Sequence, residues 1–199
     1  MVRWALLAAV ALASVAALSL RFVLHPSEAK PAPASVHFVT WAAGQQHAPA
    51  IALHTAEGAP FRLSSLRGRA SIVTFVDPHC TTFCPRESLV IDDAVRTLPE
   101  AQRPSIVAVS VDPTVTSPRV FRQEAKRFRW LPQWRWATGS HAALARVWHS
   151  YHVEVIPTKG DITHTELAYV VDANGDERAL LLWPFHADDV LRALASASS

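Results

Sequence analysis

The sequence predicts an α/β chain folded as a three-layer sandwich, and three observations point there. Ala70–Val76 (ASIVTFV) and Ser105–Val111 (SIVAVSV) are short apolar runs rich in β-branched residues, the composition of strands buried on both faces. Each is followed by a helical pattern that a proline opens, at Pro85 and at Pro118. A later pair of runs, Glu166–Val171 and Ala179–Trp183, joined by a turn at Asp172–Gly175, reads as a hairpin that leads into a last helix.

Taken in order, the chain begins with a separate object. Trp4 to Leu20 carries no charge, and counting on to Leu24 gives 21 residues interrupted only by Arg21. That is close to the ~20 residues a bilayer-crossing helix needs and longer than the core of a typical cleaved signal peptide. Residues 1–24 are therefore expected to be a transmembrane anchor or signal segment, with retention favoured by length. The positive charges flanking it, Arg3 against Arg21 and Lys30, are nearly balanced. An N-terminal apolar segment without a second span leaves the domain either outside or merely tethered, and the domain is expected outside the cytoplasmic membrane, on the periplasmic side in a bacterium. Residues 25–48 read as a linker stiffened by Pro26, Pro31 and Pro33. The domain expected over 49–196 starts with an extended piece at Ile51–His54. The strand at 70–76 follows, then a helix with Leu89, Ile91, Ala94, Val95 and Leu98 as its apolar positions, stopped by Pro99. The strand at 105–111 ends at Asp112-Pro113, and Ser117-Pro118 caps the next helix. Ala142–Tyr151 and His186–Ala195 are two more helices around the hairpin. Strand, helix, strand, helix, hairpin, helix describes a sandwich of thioredoxin type.

Composition narrows the function. With 199 residues, half of them hydrophobic, and a net charge of +2, the chain has enough apolar material for one ordinary core and too little charge to argue for nucleic acid. It has two cysteines, Cys80 and Cys84, so it is no disulfide-built scaffold. Both lie in VTFVDPHCTTFCPRES, just past the first strand. Pro85 suits the first turn of a helix, making Cys84 its expected cap, and the N-terminal end of a helix favours thiolate over thiol. A thiolate binds metal and attacks disulfides, so a redox pair and a metal site both remain open. A structural staple is the weakest choice, because closing so short a loop removes little unfolded-state entropy. Thr81, Thr82 and Phe83 make the loop roomier than the two-residue spacing of thioredoxin-like redox pairs.

Two thiolates seldom complete a metal site, and ten histidines compete for the next place. Most isolated histidines are structural or solvated. His164, in GDITHTELAYVVD, stands just before a predicted strand, where a sheet can aim it at the cysteine loop. His79 adjoins Cys80, but its plainer reading is a loop residue in water. His149, His152 and His186 have no placement argument.

The pieces FRLSSLRGRASIVTFVDPHCTTFCP, SVDPTVTSP, ATG at Ala137–Gly139 and THTELAYVVDANGD, in that order, resemble the Sco/SenC family of copper-handling thioredoxin-fold proteins. The resemblance implies that Cys80, Cys84 and His164 bind copper. It also implies that the protein delivers copper to, or maintains the thiols of, the copper centre of cytochrome c oxidase during its assembly. The implied partners are the copper-bearing oxidase subunit or another copper carrier, and the membrane. Two thiolates favour Cu(I), one imidazole makes Cu(II) acceptable too, and zinc accepts the same ligands. With Met1 the only methionine, a methionine-based copper site is excluded. Oxidation of the cysteine pair abolishes thiolate ligation, so redox state and metal loading compete.

The sequence departs from the family pattern in the Asp77-Pro78-His79 lead-in and in a stretch dense in arginine and tryptophan at 119–136. That stretch reads as an amphipathic helix with a solvated basic face, or as a docking face for an acidic partner or anionic lipid. Asp112 reads as a loop cap, or as a residue steering a ligand from behind. The alternative function is enzymatic, a thiol-disulfide oxidoreductase or thiol peroxidase using Cys80 and Cys84, which needs no histidine at 164.

Overall fold

A computed structural model describes residues 38–159 and 161–198. The elements run β1 (Phe38–Thr40), β2 (Ala52–Thr55), β3 (Pro60–Arg62), β4 (Ser71–Val76), α1 (Cys84–Arg96), β5 (Ser105–Ser110), α2 (Pro118–Arg127), β6 (Trp134–Thr138) and α3 (His141–Ser150). They continue with β7 (Val155–Thr158), β8 (Asp161–His164), β9 (Leu167–Val171), β10 (Glu177–Leu182) and α4 (Ala187–Ser196). Eight strands form one sheet in the order β1-β10-β9-β4-β5-β6-β2-β3, and β7 and β8 form a separate two-stranded sheet. Central β4, β5 and β6 are parallel, as two strand–helix–strand crossovers require, and β9 runs antiparallel beside β4.

The sheet is covered on both faces, so β4 is buried at every position. Alternation sends Ile72 and Val76 into a core with Ile91 of α1, Phe121 of α2 and Val190 of α4, while Val73 and Phe75 meet Leu144 and Tyr151 of α3 on the other side. The expected three-layer, thioredoxin-like α/β sandwich is what the chain forms.

Three expectations change. The linker expected over 25–48 ends earlier, because Phe38–Thr40 pairs antiparallel with β10 as an edge strand and a His47–Asp176 bridge follows. The stretch at 119–136 is not one amphipathic helix. Its helix stops at Arg127, and Trp134-Arg135-Trp136 lies in β6 with both indoles buried and the arginine exposed. Period-two alternation replaces helical period there, and the tryptophans are core rather than docking surface. Trp130 stacks on Trp134 with ring centres 4.2 Å apart, and Trp136 packs on Phe121 at 4.8 Å. Finally, the β7–β8 hairpin has no counterpart among the expected elements. The membrane or signal segment expected over 1–24 lies outside the described residues; among the described residues no helix is long and apolar enough to cross a membrane.

Candidate metal centre

The two halves of the site meet because of strand direction. The cysteine loop leaves the carboxyl end of β4, while β9 pairs antiparallel with that strand, Thr74 opposite Ala168. Running the same register on sets Glu166 level with Val76 and carries residues 164 and 165 past the end of β4, beside the loop. The sequence order therefore brings a histidine that precedes β9 to cysteines that follow β4, 80 residues apart for Cys84 and His164.

The loop is a tight turn. The amide of Cys80 donates to Asp77 O at 3.1 Å and that of His79 to Asp77 Oδ1 at 2.8 Å, the self-bonding of an Asx turn. Phe83, not Cys84, occupies the cap position, so Cys84 is the first residue of α1, with Pro85 in its first turn. The Cys84 amide donates to Cys80 Sγ at 3.3 Å, which is how a helix amino end holds an anion. Arg127 of α2 donates to Cys80 O at 2.6 Å and ties the loop to the neighbouring helix.

The two sulfurs are free thiols in unlike surroundings. Cys84 is 1% exposed, and Cys80 is half-buried. Cys80 is held down to about 5, chiefly by the hydrogen bond from Cys84 and further by backbone amides, against the opposing pull of burial. Cys84 is pushed up because it donates that hydrogen bond and because it is buried. The pair thus holds one negative charge on Cys80 and a proton on Cys84.

His164 ends β8 with its side chain only 2% exposed. Its Nδ1 lies 3.1 Å from Thr165 O, an acceptor only, so Nδ1 carries the hydrogen and the other nitrogen of the neutral ring carries a lone pair. That nitrogen, Nε2, lies 3.8 Å from Cys84 Sγ and 3.3 Å from Glu166 Oε1. Among the described residues, Cys84, His164 and Glu166 form the group whose ligand atoms all lie within 4.8 Å of one another. Cys80 Sγ is outside that group, turned to the Cys84 amide and to Thr82 Oγ1 at 3.7 Å. A sulfur, a nitrogen and an oxygen with lone pairs converging in a buried volume are a donor set that fits a soft or borderline cation.

His79 is exposed and outside the cluster, the loop residue of its plainer reading. Asp112 Oδ1 accepts from the amide and hydroxyl of Thr114 at 2.8 and 2.7 Å, the loop cap of its plainer reading. Two carboxyls that sequence reasoning passed over are present instead. Glu166 follows His164 by two, on the same side of an extended segment. Glu87 follows Cys84 by three, on the same face of a helix. Either spacing is a legible signal once the neighbouring ligand is chosen. Glu87 is fully buried with Oε1 2.5 Å from Thr74 Oγ1, and its carboxyl neighbours that of Glu166. Burial pushes both carboxyls up, and the closeness of Glu166 pushes Glu87 further.

A family model described as SCO1/SenC matches residues 42–198. The chain belongs to the SCO1/SenC family. Solved structures similar to this SCO1/SenC protein include Bradyrhizobium japonicum ScoI with copper bound (24% identity, 75% of this chain and 98% of that one, TM-score 0.63). Yeast Sco1 with copper bound is another (19%, 77% and 88%, TM-score 0.67). A third is BsSco, described as a member of the Sco family of cytochrome c oxidase assembly proteins with a disulfide switch (22%, 77% and 94%, TM-score 0.66). At these identities the likeness is one of fold. No curated protein matches the chain.

Proposed function

We propose that this SCO1/SenC protein carries copper on Cys80, Cys84 and His164 and serves cytochrome c oxidase assembly, giving copper to the copper-bearing subunit or exchanging it with another carrier. The observation that carries the reading is the 3.8 Å approach of His164 Nε2 to Cys84 Sγ across 80 residues of sequence, with Nδ1 bound elsewhere so that the ring offers a lone pair. The copper-bound relatives and the family membership support it. Residues 1–24 would tether the domain outside the cytoplasmic membrane, as their apolar length suggests.

Copper here is cargo, and the chain's own groups set how it is taken up and released. Cys80 supplies a ready thiolate at the half-exposed mouth, where an incoming ion is met first. Cys84 must lose its proton to join, so loading releases a proton. Cys80 then has to swing its sulfur from the Cys84 amide towards Nε2, a rotation within the loop. Oxidation of the pair to a disulfide takes two electrons from the sulfurs and the one proton held on Cys84, and leaves no thiolate for copper.

That oxidation is the basis of the second reading, maintenance of the oxidase subunit's thiols. It is favoured by the low-lying Cys80 thiolate, which can attack a disulfide while Cys84 resolves the mixed disulfide. Metal analysis and optical spectra of the reduced full-length protein separate the two. Copper carriage predicts near-stoichiometric copper and thiolate-to-Cu(II) charge transfer, both lost in Cys80→Ala, Cys84→Ala and His164→Ala. Full binding by His164→Ala, with disulfide reduction intact, would leave only the thiol function.

A further inference from the structure

Glu166 faces the same imidazole nitrogen as Cys84 does. Donor atoms sharing one tetrahedral ion at about 2.0–2.3 Å stand about 3.3–3.8 Å from each other. The separations from His164 Nε2, 3.3 Å to Glu166 Oε1 and 3.8 Å to Cys84 Sγ, are already close to ligand-to-ligand spacings. A carboxylate that merely solvated itself would turn outward, and Glu166 does not: its side chain is 17% exposed. Its second oxygen, Oε2, is buried without a hydrogen-bond partner, as is Oε2 of the neighbouring Glu87 carboxyl. Glu87 is itself fixed at Oε1 by the Thr74 hydroxyl, so it stands as a fixed wall behind Glu166. Glu166 is thus aimed from behind by a chain that begins on the central strand.

We propose that Glu166 is a fourth donor of the copper site, with Glu87 as the positioning residue that aims it. This rests on the copper reading of Cys80, Cys84 and His164. Its consequence is a preference between oxidation states. Carboxylate oxygen is a hard, anionic donor, and it stabilises Cu(II) more than Cu(I), for which two thiolates and an imidazole already suffice. The chain would therefore hold the oxidised ion more firmly than a three-donor site of the same thiolates and imidazole.

The test titrates the reduced full-length protein in detergent with Cu(I) and with Cu(II), each against a competing chelator, and records the electron paramagnetic resonance spectrum of the Cu(II) form. Glu166→Gln is expected to weaken Cu(II) by about tenfold or more and to leave Cu(I) within about twofold. The copper potential then rises by about 59 mV for each tenfold. The copper hyperfine pattern changes with it. Glu87→Leu is expected to reproduce these shifts, whereas Glu87→Gln, which keeps the length and shape of that wall, restores the parent values; a merely structural role would not discriminate in that way. If Glu166→Gln fails to fold, Glu166→Asp, which withdraws the oxygen by one methylene, is read in its place with the same expectation. Unchanged Cu(II) affinity and spectrum in the Glu166 variant, or equal weakening of both oxidation states, overturns the fourth donor and leaves the three-ligand site standing. A parent protein that binds neither ion overturns both.

Discussion

One backbone carbonyl decides which nitrogen His164 offers, because Thr165 O engages Nδ1 and directs Nε2 towards Cys84 and Glu166. Such local fixing of a tautomer recurs wherever histidine binds metal. A similar single-residue device ties α1 to the start of β6. Asp92, buried in α1, accepts from Trp134 Nε1 at 2.6 Å and from the Leu131 amide at 3.2 Å. Asp92→Ala strands both donors in the core, and we expect about 2 kcal/mol of lost stability, read as a lower urea midpoint at unchanged slope. At this scale the sequence pointed to Cys80, Cys84 and His164, because thiols are scarce in the chain and the motif order is specific, and the fold brings Cys84 and His164 together. The sequence did not single out Glu87 and Glu166, whose spacings speak only once Cys84 and His164 are chosen. Charged residues are rarely buried unless paired, and a pair formed between a helix and a strand segment 79 positions apart leaves no local pattern.

Among elements, β4, β5, α1 and the β9–β10 hairpin were legible because their periods are clean. β6 was not. Trp134-Arg135-Trp136 sits among arginines whose charge suggested a helix surface, whereas the strand uses alternation to bury two indoles and expose one guanidinium. Trp134→Ala is expected to cost about 3–5 kcal/mol, since it empties a core position and unstacks Trp130. Arg135→Ala should stay within about 0.5 kcal/mol. Comparable losses from the two substitutions in chemical denaturation would contradict the strand assignment. The edge strand β1 was hidden for another reason. Three residues beside a proline-rich stretch carry too little periodicity to register, and their place is set by an open edge of β10 that only the folded sheet provides.

Across the whole molecule, the buried acids set how stability depends on pH. Glu177, buried at the start of β10, is pushed up by burial from 4.5 to about 7. Its proton is held more tightly in the folded chain than in the unfolded one. The resulting stabilisation is fully present below about 4.5 and is lost as pH rises through about 7. Urea midpoints should therefore fall between pH 5 and pH 8, and Glu177→Gln should flatten that decline; a variant with the parent's full slope would sink the assignment. The layer order and central crossovers were readable from sequence at this scale, because they follow from which elements alternate. The separate β7–β8 sheet was not, because nothing in its eight strand residues distinguishes a strand of the main sheet from an independent ribbon. That ribbon has a mechanical meaning. The thiols stand between the end of a strand buried at every position and the start of the helix that follows it, while the imidazole rides at the end of a flap outside the main sheet's hydrogen-bond ladder. On the copper reading proposed above, tilting the flap would withdraw one grip and leave the others in place, a route by which cargo is surrendered stepwise to a neighbour without disturbing the frame.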